Sequence, residues 1–465
     1  MKKRYFLVIL FVLLGLSCNA VTRAFSSPTS TPRPTITAPS ETNVEPTVTN
    51  GNADVYIPPS CAGKPVATIP SATMLAKPTS ALSTNPELSK TEQLKVFDAL
   101  TKDISEVYLY PDFNGLDWPK TVAKYRKQIN DGLDTQTFYI NMEKLMDELK
   151  DDHSSFLSPV EVAASKAELN GKIDYVGIGV LIQVLPQKGK ITLLSVLPGS
   201  SADHGGLKAH DSILAVDGIP VKSMSDSLRV RGPECSAVMV RVQSPGGQPH
   251  DQVFMRFRIT ATLPIVAQLV KTTDGSRIGY IFLPSFFDDT IPGQVKQALE
   301  DFGHLDGLII DNRANGGGSS SVVYPIFRYF TSGKLGHFVS RARTDTLELD
   351  ADPVENSQDV PLVVLVGDGT ASFGEIFSGV MQDIGRAKIV GKVTDGNVET
   401  LEGFNFDDGS QSWIAAERFE PLNHPNANWE KTGIIPDVVA FADWDTFTFE
   451  TDPAIKAALK IFGHK

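Results

Sequence analysis

Two short stretches hold residues able to do chemistry. One is Asp311-Asn312-Arg313-Ala314-Asn315-Gly316-Gly317-Gly318, at the end of an apolar run. The other is Gly369-Thr370-Ala371-Ser372-Phe373-Gly374-Glu375, between an expected strand and an expected helix. A serine at a tight strand-to-helix turn sets its hydroxyl at the positive end of the helix dipole. The Phe373 N–H then faces the point where an oxyanion would form. Glycine has no Cβ, so Gly317 or Gly318 can bring a second backbone N–H to that point. Either stretch alone fits an ordinary loop, and a serine before a helix most often caps it. Together they point to acyl transfer with Ser372 as the nucleophile.

The pair resembles the S41 peptidase family, the C-terminal-processing or tail-specific serine proteases. That family has an Asp-x-Arg-x-Asn-x-Gly-Gly motif, a Ser/Thr-Ala-Ser-x-Ser/Gly-Glu motif and a PDZ domain inserted before them. The resemblance spans about 90–445. It implies a crotonase-like α/β core, hydrolysis through an acyl-enzyme, and no metal or cofactor.

A serine hydroxyl needs a base. Many S41 members use a lysine in a Gly-Lys-Gly context, and its place here falls on Asn397. Lys392 lies five residues earlier and stays open as a displaced base. A second, tricorn-like branch uses histidine and glutamate. Its pattern is similar to His153 in Asp152-His153-Ser154-Ser155 and to Glu430 before Gly433-Ile434-Ile435-Pro436-Asp437. Histidine, with an ordinary pKa of about 6.5, takes and returns a proton near neutrality. The resemblance thus implies Ser372, His153 and Glu430 as the catalytic set. Asp152 or Ser154 are further candidates for orienting the histidine, His424 is a rival base, and Glu375 is expected to cap or brace its helix. The alternative is a catalytically inactive PDZ scaffold at the cell envelope.

Tyr175-Val176-Gly177-Ile178-Gly179-Val180 resembles the carboxylate-binding loop of PDZ domains. Val196 to Leu207, with Pro198-Gly199-Ser200-Ser201-Ala202 at its helical turn, and Ala209 to Gly218, with its Asp217-Gly218 turn, continue the likeness. Backbone N–H groups at Val176, Gly177, Ile178 and Gly179 would hold a peptide's terminal carboxylate, and the adjoining strand edge would pair with the peptide. The expected partners are therefore polypeptides with free C-termini.

These sites need positioning elements. Apolar residues at helical spacing predict helices over Thr91–Tyr108, Trp118–Leu133 and Thr135–Leu149, a helical domain at 90–168. Short β-rich runs at Val176–Val184, Ile191–Val196, Ser212–Val216 and Ala237–Val242 predict a β-rich domain at 169–262. From 263 to 465 strands and helices alternate, the signature of an α/β layer fold.

The N-terminus reads as an export signal. Lys2, Lys3 and Arg4 precede an apolar run from Tyr5 to Leu16, too short to span a bilayer. Gly15-Leu16-Ser17-Cys18 resembles a lipobox, which makes Cys18 a lipidation candidate and predicts a membrane anchor. Twenty of the 40 residues at 21–60 are Ser, Thr or Pro, and the stretch 19–89 is expected to be a disordered tether. Cys61 and Cys235 are then left either to pair or to stand free. No spacing resembles a zinc site. A net charge of −12 argues against nucleic acid, which requires a basic face.

Overall fold

In the computed structural model the described residues are 55–64, 85, 87–169, 172–185, 188–221, 226, 228–262 and 264–464. The signal segment and Cys18 lie outside them.

The core is a six-stranded sheet, in the order Val266–Val270, Ile278–Phe282, Gly307–Asp311, Leu362–Val366, Ala387–Gly391 and Val438–Val439. The first pair is antiparallel and the other pairs are parallel. Both faces are covered, so the inner strands are continuous apolar runs. Leu308, Ile310 and Val364 face the helices Ile291–Phe302, Ser320–Phe330 and Phe373–Asp383. Ile309, Val363 and Leu365 face the other way, toward the helix Pro453–Ile461. In such a sheet the loops at the carboxyl ends of the strands gather on one edge. Here they are 312–319, 367–372 and 392–399, the loops that carry the chemistry.

A second sheet orders Ser155–Leu157, Gln411–Pro421, Gly333–Ser340 and Thr344–Leu349, with Thr400–Asn405 also paired to Gln411–Pro421. The helices Lys90–Val107, Trp118–Asp131 and Thr135–Asp147 pack onto it. Phe97, Leu100, Phe138 and Met142 meet Phe156, Phe406 and Ile414 in one buried cluster. Ser89, Asp117 and Asp134 cap these helices with their side chains. The loop carrying His153 lies between the last helix and Ser155–Leu157, so this packing sets its position.

The β-rich region is a separate sheet of Val180–Leu185, Lys190–Val196, Ser212–Val216, Ala237–Gln243 and His250–Met255, with Ile219–Pro220 also paired to Ser212–Val216. The Asp217-Gly218 turn has both φ angles positive, as a two-residue hairpin requires. The run expected as one strand over Val176–Val184 is two. Lys172–Gly177 pairs with Phe257–Thr262, and the chain turns at Gly179 (φ +88°) before Val180–Leu185. Ser200 lies where a Cβ on Gly179 would be, so the break depends on glycine.

Cys61 and Cys235 are disulfide-bonded. The bond ties the segment at 55–64 to the β-rich domain, where Ile57, Met255 and Phe257 pack around it. Tyr56 stacks on His204 beside it.

Candidate active site

Ser372 occupies the position before the helix Phe373–Asp383 with φ 52° and ψ −128°, and its side chain makes no cap. Positive φ at a non-glycine residue is strained, and such strain concentrates at functional turns. Three contacts maintain it. The Ser372 N–H donates to the Asn397 carbonyl, and the Ala371 N–H to the Asn315 carbonyl at 3.1 Å. Gly374 passes so close to the Asn315 carbonyl that a Cβ would sit 2.3 Å from it.

The glycine loop lies directly against this turn. A Cβ on Gly317 (φ +100°) would fall 2.6 Å from the Ser372 Cβ and 3.0 Å from the Phe373 nitrogen. The Gly317 N–H donates to Asn315 Oδ1 at 2.9 Å, so that amide is taken within its own loop. Gly318 packs on the backbone of Phe286, whose N–H and carbonyl bond the residues on either side, Gly317 and Ser319. The polar residues of the motif hold it in place. Asn312 Nδ2 donates to the Gly374 carbonyl (2.8 Å) and to Ser378 Oγ (2.9 Å). Arg313 bridges Asp311 and Asp452, at 2.5 and 2.7 Å.

His153 is nearly enclosed, its side chain 4% exposed. Asp151 accepts the backbone N–H groups of His153 and Ser154, fixing the loop. The neighbours expected to orient the ring do something else. Asp152 is exposed, and Ser154 Oγ accepts the Ala415 N–H at 3.1 Å. The ring itself pairs with Glu430, Nε2 lying 2.8 Å from Oε1. The other Glu430 oxygen accepts the N–H groups of Val398 (2.8 Å) and Glu399 (3.2 Å). Asn397 touches Ser372, and the next two residues touch Glu430, so residues 397–399 link the serine turn to the His153–Glu430 pair. Burial alone would depress the His153 pKa. Glu430, with smaller contributions from Glu399 and Asp151, outweighs it and pushes the pKa up to about 9.

The remaining expected residues lie elsewhere or do other work. Lys392 pairs with Asp368 at 2.7 Å in solvent. His424 binds Asp383 and is 74% exposed, away from the serine turn. Glu375 is buried and braces the 394–397 loop rather than its own helix, accepting from Thr394 Oγ1 and from the N–H groups of Gly396 and Asn397. Burial pushes its pKa up to about 7 against those donors. In the carboxylate-loop segment, Val176 and Gly177 belong to the strand paired with Phe257–Thr262. The carbonyls of Ile178 and Gly179 accept the Ala202 and Leu197 N–H groups, both at 2.9 Å.

Two residues absent from the sequence reading join the site. Glu399 is buried beside the histidine, with Oε2 4.0 Å from His153 Nε2. Tyr110 donates its hydroxyl to Glu399 Oε1. Burial, with Glu430 adding, pushes the Glu399 pKa up to about 7. No local spacing signals either residue, since 289 positions separate them in the chain.

A strained serine turn, a glycine loop against it and a buried histidine–carboxylate pair, at the carboxyl edge of a parallel sheet, define a serine-type peptidase. The comparisons agree. Residues 277–440 match the model of peptidase family S41, and 174–231 match the PDZ domain. The carboxyl-terminal-processing protease of Synechocystis is 29% identical over 379 residues, 80% of this chain and 86% of that protein. Carboxyl-terminal-processing peptidase 2, chloroplastic, of Arabidopsis thaliana is 26% identical, covering 76% of this chain and 70% of its own length. A solved photosystem II D1 C-terminal processing protease superposes with a TM-score of 0.55 at 25% identity, over 81% of this chain and 98% of that one. Residues 277–440 thus form a peptidase family S41 domain and residues 174–231 a PDZ domain.

Proposed function

We propose that this peptidase is exported and cleaves polypeptides through an acyl-enzyme, with Ser372, His153 and Glu430 as its catalytic set and the PDZ domain receiving substrate C-termini. The observation that carries the catalytic assignment is the His153–Glu430 pair at 2.8 Å, joined to the Ser372 turn through residues 397–399. A carboxylate accepts, so Nε2 carries the proton it shares with Glu430, and Nδ1 holds the lone pair in the neutral ring. Nδ1 takes the Ser372 proton as Oγ attacks the scissile carbonyl, and Glu430 stabilises the imidazolium that forms. The proton then passes to the leaving amine, and water hydrolyses the ester. The Phe373 and Gly318 amides receive the oxyanion, joined by Gly317 if substrate frees its N–H from Asn315. Asn397 gives the serine turn a backbone carbonyl where the lysine branch would supply a basic amine, which favours the histidine branch.

Processing of C-termini is the activity named for the relatives, and a PDZ loop in this chain fits the same use. The Cys61–Cys235 bond supports export, because such bonds persist in oxidising compartments. Anchoring through Cys18 is part of this reading. Among the described residues no helix is long and apolar enough to cross a membrane.

The test is hydrolysis of an unstructured polypeptide, together with fluorophosphonate labelling. Ser372→Ala and His153→Ala should abolish turnover, and Lys392→Ala should retain it. An active His153→Ala with an inactive Lys392→Ala would reverse the assignment of the base.

A further inference from the structure

The catalytic histidine has a second carboxylate against it that the peptidase mechanism does not use. Glu399 is all but enclosed, its side chain 2% exposed, and Oε2 is buried without a hydrogen-bond partner. A bare buried carboxylate oxygen is costly, so the group facing it matters. It faces His153 Nε2 at 4.0 Å, and Glu430 Oε1 reaches the same nitrogen at 2.8 Å. The three donor atoms lie within 4.8 Å of one another.

We propose that His153, Glu399 and Glu430 form a binding site for a zinc-class divalent cation whose occupancy shuts off hydrolysis. Zinc takes imidazole nitrogen and carboxylate oxygen at about 2.0–2.2 Å, which puts donors in a tetrahedral shell roughly 3.3 Å apart. The observed separations of 2.8 and 4.0 Å bracket that spacing, so small side-chain shifts suffice. One nitrogen and two oxygens suit zinc better than calcium or magnesium, which take six or more oxygens. The outer contacts favour the same arrangement. Tyr110 holds the far oxygen of Glu399, and the Val398 and Glu399 N–H groups hold the far oxygen of Glu430. Each carboxylate is thereby aimed with its near oxygen toward Nε2, as second-shell partners aim metal ligands.

Inhibition rests on the catalytic reading above. The cation replaces the proton on Nε2, which leaves to solvent from the imidazolium. The ring keeps its other proton on Nδ1. With Nδ1 protonated and Nε2 coordinated, the imidazole has no lone pair left for the Ser372 proton.

Binding can be measured apart from catalysis. The full chain carrying Ser372→Ala is titrated with zinc by calorimetry, and with cobalt(II) by its visible d–d bands. One ion per chain is expected, and Glu399→Gln in that background should weaken binding at least roughly tenfold. In the active chain, zinc should suppress hydrolysis, a chelator should restore it, and Glu399→Gln should raise the inhibiting concentration by the same factor. Tyr110→Phe, which keeps all three ligands and frees the far oxygen of Glu399, should weaken binding less and guards against misfolding of the glutamine variant. Zinc affinity unchanged by Glu399→Gln, or no binding at all, overturns the site. Stoichiometric binding without inhibition overturns the control of hydrolysis and points to a failure of the His153 assignment.

Discussion

Gly317 lies directly against Ser372, the proposed nucleophile. A methyl at that position meets the Ser372 Cβ at 2.6 Å and needs a φ of +100° that L-residues avoid. Neither neighbour yields easily, because the serine is itself held at positive φ by Asn397. Gly317→Ala should therefore displace the serine turn or the amides beside it. Losing one oxyanion donor costs about 10²–10³ in kcat, and that is the loss expected on an unstructured peptide substrate. Far-ultraviolet circular dichroism should show the fold retained. Activity near wild type would mean that the loop does not form part of the oxyanion site. The closeness of this glycine loop to Ser372 was suggested in the sequence only by the two motifs taken together, because three glycines after a strand alone fit an ordinary loop. The role of Glu399 was not legible, since nothing near it in the chain indicates that Tyr110 and His153 converge on it.

The loop at 392–399 connects the parts of the site that the core elements hold apart. It leaves the carboxyl end of Ala387–Gly391, passes Ser372 at Asn397, and reaches Glu430 at Val398 and Glu399. Buried Glu375 is its main brace, with three donors on one carboxylate. Glu375→Gln keeps the shape but sets an NH2 group against either the Gly396 N–H or the Asn397 N–H, which bond different oxygens of the carboxylate. A buried donor left without an acceptor costs about 1–3 kcal/mol. A lower urea midpoint and reduced turnover should appear together, and unchanged values for both would remove Glu375 as a brace. At this scale the sequence was informative where periodicity was strong. The three N-terminal helices and the alternating strands and helices of the core carry clear 3.6-residue or apolar-run patterns. The sheet built on Gln411–Pro421 was missed because its partners are scattered through the chain. Residues of that one strand pair with Ser155–Leu157, Gly333–Ser340 and Thr400–Asn405, and local pattern does not encode such distant pairing. His153 and Glu430 are 277 positions apart, so only resemblance to a family suggested that they belong together.

Across the whole molecule, the described residues of the PDZ domain meet the core at a largely buried junction. His210 Nδ1 donates to the Trp444 carbonyl at 2.9 Å, and the Trp444 indole donates to the Leu193 carbonyl at 2.9 Å. Lys188 and Lys190 pair with Asp445 beside it. Arg313, from the glycine-loop motif, lies over the rings of Trp444 and Phe447. The seat of the PDZ domain therefore shares residues with the scaffold of the active site. Burial holds the His210 pKa below its ordinary value; the Trp444 carbonyl, Asp452 and Asp311 act against this, and Arg313 acts with it. The unfolded chain, with a histidine pKa of about 6.5, then binds this proton before the folded chain does. Stability from neutral His210 is full above about pH 6.5 and falls as the pH drops from there toward the lower folded pKa. His210 has φ +77°, a conformation that asparagine tolerates, so His210→Asn removes the titration with little backbone strain. Urea midpoints at pH 7.5 and pH 5.5 should fall more on acidification for wild type than for His210→Asn. The difference isolates this residue, because every other titratable group is common to both proteins. Equal falls would show that the junction does not sense protons through His210.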